Sequence, residues 1–243
     1  MLARPPGIVS LTGGGGKTSL LFALAEAFAN AGLPVVCATT TKMMRPTPSA
    51  WLDVDMGPLP QTPPPNSRAL FAAKAADPSG KVAGYAPAEI DALQQSRPGW
   101  ILVEADGAAR KPVKAPAAHE PPLPALTTIA IAVVGLSCIG QTLSDAVAFR
   151  LPELSAITGL RPGDEITPET LARLADHPQG MFKNVPAAAE RILFCNQSDL
   201  PGAEEAGKRL VAEIEKTAPR LLDGAYLGAI QKKGLTCLSL TPN

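Results

Sequence analysis

The chain has 243 residues, 46% of them hydrophobic, enough for a buried core and against general disorder. Lys plus Arg number 22 and Asp plus Glu number 22, a balance that argues against a broad nucleic-acid-binding or anionic-membrane surface. The longest apolar stretch, Ile129–Gly140, is shorter than the roughly 20 residues a membrane helix needs, and Met1–Gly7 lacks the apolar centre of a signal peptide.

These features lead us to expect a cytoplasmic protein that binds neither nucleic acid nor membrane. The cysteines, Cys37, Cys138, Cys195 and Cys237, form no C-x-x-C pair. The first three adjoin apolar runs, which favours small buried hydrophobes over a metal or redox site.

In chain order, Ile8–Leu11 reads as a short buried strand, Thr12–Gly16 as a glycine loop, and Lys17 to about Ala31 as a helix. Leu20, Leu21, Leu24, Ala27 and Phe28 recur there at helical spacing, and Gly32 ends the run. Val35–Ala38 is a second apolar strand, so the unit is strand, helix, strand. Strands apolar throughout, rather than alternating, indicate a parallel sheet covered on both faces. The proline-dense stretch Arg45–Asn66 predicts a long loop or mobile insert. Pro87–Gln95 reads as a helix, Trp100–Val103 as a third strand and Ala109–Pro124 as another proline-rich connection. Ile129–Val134 and Arg191–Cys195 follow as strands, with a mostly helical stretch between them that starts at Thr167-Pro168-Glu169. Gly202–Lys216 is a helix, and Ala225–Ile230 and Thr236–Leu240 are closing strands. The expectation is a single α/β domain over residues 1–243: a mostly parallel sheet with helices on both faces, P-loop NTPase-like, with proline-rich insertions at 45–66 and beyond.

The chemistry concentrates at Gly13, Gly14, Gly15, Gly16, Lys17, Thr18 and Ser19, between a buried strand and an amphipathic helix. Polyphosphate needs convergent backbone N–H groups, residues without Cβ permit close approach, and a helix N-terminus adds positive potential. Lys17 is placed to reach β- and γ-phosphates, and the Thr18 hydroxyl to ligate Mg²⁺. The longer G-x-x-x-x-G-K-[ST] pattern would put its first glycine at Leu11, inside the strand, so the loop is the shorter G-x-x-G-K-T. Loops of this length resemble those of Mur-ligase and folylpolyglutamate-synthetase ATPases.

Glu104 and Asp106 follow an apolar strand, as expected of carboxylates that hold Mg²⁺ opposite a phosphate loop. Asp106-Gly107 also has the form of a metal-proximal acid followed by a flexible pivot. Lys17 and Asp106 are the catalytic candidates; Thr18, Glu104 and Asp106 are the metal candidates. Asn196-Gln-Ser-Asp199 stands where GTPases carry Asn-Lys-x-Asp, which makes Asn196 and Asp199 candidates to read guanine. Gln197 replaces the lysine, so the nucleotide is expected to be GTP or ATP. Thr41 and Lys42 close the second strand on the sheet edge where ligands bind, and join the candidate binding set. Thr39–Thr41 hydroxyls equally suit strand-end backbone bonds. His119-Glu120, with Arg110, Lys111 and Lys114, suits either an anionic-substrate or metal site or a solvated loop.

An ordered series of segments carries a family resemblance. It comprises LTGGGGKTS at 11–19, TTTKM at 39–43, Gly84-Tyr85, VEADGA at 103–108, Lys114-Ala-Pro116, His119-Glu-Pro121, Ile157-Thr-Gly159, GDEITP at 163–168, His177-Pro178 and NQSD at 196–199. In this order the chain resembles the YqeC-type selenium-dependent molybdenum hydroxylase accessory proteins, also described as selenium cofactor biosynthesis proteins. The resemblance implies a P-loop protein that assists maturation of selenium-containing molybdenum hydroxylases. Its implied partners are a nucleoside triphosphate with Mg²⁺ and a molybdenum hydroxylase or its cofactor. Metal-centre maturation GTPases of similar layout often act as dimers, so a homodimer is an expectation by the same comparison. A small-molecule kinase or ligase with a Mur-type loop, and a cofactor-binding chaperone without turnover, are the rival readings.

Overall fold

The computed structural model describes residues 5–238 other than 61, 63, 65–67 and 233. Strand β1 (Ile8–Gly13) leads through the glycine loop into α1 (Lys17–Asn30), and β2 (Val35–Thr39) follows. Gly32 lies between them at φ +71, a left-handed position that ends the helix as its sequence place predicts. Next come β3 (Met43–Met44), β4 (Leu52–Met56), β5 (Ala69–Ala73), β6 (Ala75–Ala76) and β7 (Lys81–Ala83). Helix α2 (Pro87–Ser96), β8 (Trp100–Glu104), β9 (Val113–Lys114), β10 (Thr127–Gly135) and β11 (Ala148–Phe149) continue the chain. Helices α3 (Leu151–Thr158) and α4 (Pro168–Asp176), then β12 (Glu190–Asn196), α5 (Ala203–Thr217), β13 (Gly224–Ala229) and β14 (Gly234–Leu238) complete it. Residues 239 and 240 of the expected last strand lie outside the described residues.

Nine strands form the main sheet in the order β14-β13-β12-β10-β1-β8-β2-β5-β4, parallel except for β14. Successive side chains of a strand point to opposite faces, and the core divides accordingly. Val9, Leu11, Trp100, Leu102, Ile131 and Val133 face α1, meeting its Leu21, Ala25 and Phe28. Phe28 meets Trp100 edge-on, with ring centroids 5.0 Å apart. Burying such a ring contributes about 2–3 kcal/mol. On the other face Ile101 and Val103 meet Ile90 and Leu93 of α2. Ala132, Val134, Leu193 and Cys195 on that face pack with Leu154, Leu171 and Leu210 of α3, α4 and α5.

Local sequence explains the helix starts. The Thr167 hydroxyl accepts from Thr170 N at 3.3 Å at the head of α4, with Pro168 in the first turn. Glu89 accepts from Ala86 N at 2.7 Å at the head of α2. Cys37, Cys138 and Cys195 are buried free thiols. Burial pushes Cys138 up to about 12, and raises Cys195 likewise to about 12 with a smaller contribution from Cys138. The Cys237 side chain lies outside the described ones.

Within the stretch 45–66, expected as a long loop or mobile insert, Leu52–Met56 forms a strand, β4, which pairs in parallel with β5 at the sheet border. The prolines of this stretch flank Leu52–Met56 without interrupting it, and proline is tolerated beside an edge strand because no inner ladder bond is lost. Arg68 fastens this region, donating Nε to Asp53 at 2.7 Å and NH2 to Ser49 O at 3.2 Å. Tyr85 ties the same border to the site edge: its hydroxyl donates to Gly57 O at 2.7 Å and its amide to Thr39 O at 2.9 Å.

Candidate functional site

Parallel strands deliver their last residues to one edge of the sheet. Gly13 ends β1, Glu104 ends β8, Thr39 ends β2 and Asn196 ends β12. Glu104 is in register with both Leu11 and Thr39, and Gly135 with Asn196. A cleft of about 1070 Å³ opens above this edge. Its floor is Gly15, Gly16, Lys17, Thr18, Ser19 and Glu104, with Lys42, Met43, Met44 and Lys81 at the β2 end. Asn196, Gln197, Asp199 and Leu200 stand at the β12 end, and Gly107–Pro112 arch along one side. Five cations against two carboxylates, Glu104 and Asp199, give the cleft an excess of positive charge suited to a polyanion.

The glycine loop performs two tasks, split at Gly16. Gly13 N donates to Asp106 Oδ2 at 3.1 Å, Gly14 N to Val133 O at 2.9 Å and Gly15 N to Lys111 O at 2.9 Å. These three amides are engaged inside the protein rather than presented to the cleft. The first bond of α1 is Leu20 N to Gly16 O at 2.9 Å. The amides of Lys17, Thr18 and Ser19 precede that bond and have no backbone acceptor among the described residues, and Thr18 and Ser19 are exposed. No side chain caps this helix start. Close packing explains the early glycines: a Cβ on Gly15 would stand 2.1 Å from Gly135 N, and one on Gly13 2.2 Å from Val133 O.

Lys17 is buried over the loop. Its Nζ lies 3.1 Å from Asp106 Oδ1 and also donates to Gly13 O. On the other oxygen of Asp106, Lys114 Nζ approaches to 3.1 Å. Lys114 also pairs with Glu120 at 2.9 Å and donates to Gly107 O at 2.8 Å. Glu120 accepts from Ala117 N at 3.1 Å and meets Arg150 at 3.4 Å. Burial pushes the Glu120 carboxyl up, but the Lys114 bond, the Ala117 amide and the Lys114 and Arg150 contacts together hold it below the usual carboxylate range.

Glu104, not Asp106, faces the cleft. Thr18 Oγ1 donates to Glu104 Oε2 at 2.7 Å. Burial raises the Glu104 carboxyl above its ordinary value; Lys17 and the Thr18 bond oppose this, and Asp106 adds to it. Asp106 is 1% exposed and already balanced by two ammonium groups and an amide, a poor environment for a further cation. Thr18 and Glu104 are therefore the pair whose oxygens fit a hard divalent ion beside the unpaired amides.

Asn196 borders the cleft, and its side-chain amide is engaged there by the protein itself. Its Nδ2 donates to Gly15 O at 2.7 Å, and its Oδ1 accepts from Ile230 N at 3.4 Å. Asp199 pairs with Lys232 at 3.0 Å, a contact that holds its carboxyl below the ordinary value. Gln197, left-handed at φ +68, accepts from Ser137 N at 3.3 Å. Thr39 serves the backbone, donating to Glu104 O at 2.9 Å and accepting from Thr41 N at 3.1 Å, while Lys42 borders the cleft. His119 is exposed and Glu120 is neutralised by Lys114, so these two do not assemble an anion site. Sequence reasoning missed Lys81 as a cleft residue and the pairing of Lys114 with Asp106. The one local hint of the latter was a lysine between apolar neighbours, Val113 and Ala115.

A mostly parallel sheet with a glycine loop between its central strand and α1 defines an α/β protein of the P-loop NTPase-like class. Among the described residues, no helix is long and apolar enough to cross a membrane. A family profile described as YqeC protein matches residues 9–152. A protein of Escherichia coli (strain K12), named "Uncharacterized protein YqeC", is 42% identical over 236 residues, spanning 94% of this chain and 90% of its own length. The chain belongs to the YqeC family.

Proposed function

We propose that this protein binds a nucleoside triphosphate, GTP or ATP, with Mg²⁺ at Gly15–Ser19. It hydrolyses it slowly, as an accessory factor in maturation of selenium-dependent molybdenum hydroxylases. The observation that carries the reading is the start of α1: the unpaired amides of Lys17, Thr18 and Ser19 open onto a cationic cleft beside the Thr18–Glu104 pair. Thr18 and Glu104 would hold Mg²⁺, which supplies charge neutralisation on the phosphate oxygens when bound. The three amides bind and orient the terminal phosphates, and Lys17, turning from Asp106, offsets charge on the transferring group. Asn196 keeps the loop in shape. The maturation role rests on the resemblance carried by the ordered sequence segments.

A second reading draws on the size of the cleft, which continues past Glu104 to Lys42, Met44 and Lys81. That extension suits an anionic acceptor and hence a small-molecule kinase or ligase. A homodimer closing over the nucleotide belongs to the first reading, and a chaperone that binds without turnover is its limiting form.

Calorimetric titration with non-hydrolysable ATP and GTP analogues, with and without Mg²⁺, is the direct test, followed by product analysis. Mg²⁺-dependent binding lost in Lys17→Ala supports the reading, and its absence in the parent protein refutes it. Free phosphate as sole product favours the NTPase, a phosphorylated or ligated acceptor favours the second reading, and binding without any product leaves the chaperone.

A further inference from the structure

The Lys17 ammonium, on the floor of the cleft, is engaged by the protein's own groups. Its Nζ is held by Asp106 Oδ1 and by Gly13 O on its own loop, and both Lys17 and Asp106 are buried. Moving Lys17 toward a ligand removes a partner from a carboxylate that water barely touches, which is strongly unfavourable when nothing else balances that charge.

Lys114 supplies the balance. It stands on the opposite oxygen of Asp106 at 3.1 Å, with both side chains 1% exposed. It does not border the cleft. Its own position is fixed from several directions: Glu120 at 2.9 Å, Gly107 O at 2.8 Å and the Phe149 ring at 5.7 Å. Its backbone is in register with Phe149. Gly13 N also stays on Asp106 whichever way Lys17 points, because the backbone there continues β1.

We propose that Lys114 is a positioning residue for nucleotide binding: a fixed second cation on Asp106 that frees Lys17 to leave for the phosphate. This inference rests on the nucleotide reading given above. It also gives a shared role to two segments singled out in the sequence, Lys114-Ala-Pro116 and His119-Glu-Pro121, whose Lys114 and Glu120 form the anchored pair.

The test is a thermodynamic cycle read by calorimetry with a non-hydrolysable ATP or GTP analogue and Mg²⁺. It compares the parent protein, Lys114→Met, Lys114→Arg, Asp106→Asn and the double variant K114M/D106N. Without Lys114, Asp106 holds Lys17 as its main cation, so K114M binds at least about tenfold more weakly, while Lys114→Arg, which keeps the charge, loses less than K114M. Asparagine needs no counter-ion, so K114M/D106N binds within about threefold of Asp106→Asn alone. A K114M protein that binds like the parent overturns the proposal, as does a K114M defect that D106N leaves unrelieved. Should K114M alone not fold, Asp106→Asn against K114M/D106N still decides, a tenfold gap between those two overturning the proposal. No binding by the parent removes the nucleotide reading and this inference with it; binding by the parent together with either overturning result among the variants removes this inference only.

Discussion

The Asn196 side chain donates to Gly15 O at 2.7 Å across 181 residues of chain, and so braces the glycine loop from the end of β12. A Cβ on Gly16 would stand 2.4 Å from the same Nδ2, so the contact is close on both sides. Asn196→Ala is therefore expected to weaken ATP and GTP analogues alike, by about fivefold to thirtyfold for one well-placed hydrogen bond of about 1–2 kcal/mol. Competition titrations with both nucleotides check this. A loss confined to GTP would return Asn196 to the role of base reader.

Gly15 has φ +76 and no room for a methyl group beside Gly135. Gly15→Ala combines a left-handed strain of about 1–2 kcal/mol with a backbone clash. The expected result is a lower melting temperature together with loss of nucleotide binding. Unchanged melting would mean that β1 and β10 part easily at this edge.

Glu104 has a carboxyl raised chiefly by burial. In metal-free protein the folded state holds that proton more tightly than the unfolded chain. Its contribution to stability is thus full below the ordinary carboxylate value and is lost as pH rises through the raised one. Mg²⁺ needs the ionised form, so the gain in nucleotide affinity on adding Mg²⁺ should grow over that same rise. Glu104→Gln should flatten both profiles, measurable by thermal melting and calorimetry from pH 4 to 8. A Mg²⁺ gain that does not change with pH in the parent would exclude Glu104 as the metal carboxylate.

Glu120 shows the opposite behaviour. Its depressed carboxyl contributes stability that is present above the ordinary value and disappears as pH falls through the depressed one. Glu120→Gln keeps the Ala117 contact but loses the charge facing Lys114 and Arg150. It should cost about 2 kcal/mol near neutrality and shrink the acid-induced loss of stability. Urea unfolding at pH 3 and pH 7 measures both, and an equal penalty at the two values would rule out an electrostatic role.

Lys232 occupies the Asp199 carboxylate that a guanine edge would use. Lys232→Ala should raise GTP-analogue affinity relative to ATP by about twofold to fivefold, the scale of one exposed ion pair. Equal shifts for the two nucleotides would show that Asp199 does not touch the base.

The elements most legible in the sequence were those whose signal is local. β1, β2, β8, β10 and β12 are each built around a short, mostly apolar and mostly buried run, and the glycine loop is a contiguous motif with its helix attached. β4 and β5 were obscured, the first by prolines on both sides and the second by an alanine-rich composition, ALFAA, of weak strand preference. At the site, residue types were readable but their partners were not. Whether Glu104 or Asp106 faces the cleft depends on where the chain folds back after β8 to bring Lys114 under Asp106. Asn196 likewise took the form of a recognition residue in sequence, and its bond to Gly15 O is visible only in space.

The positive groups fall into two populations with different access to counterions. Lys42, Lys81 and Arg110 stand exposed around the opening, where dissolved ions at physiological strength limit their reach to about 8 Å. Lys17 and Lys114 lie beneath the surface, sealed from that atmosphere. For the nucleotide proposed above, added salt is thus expected to slow capture from solution while barely disturbing the grip once the polyanion is seated.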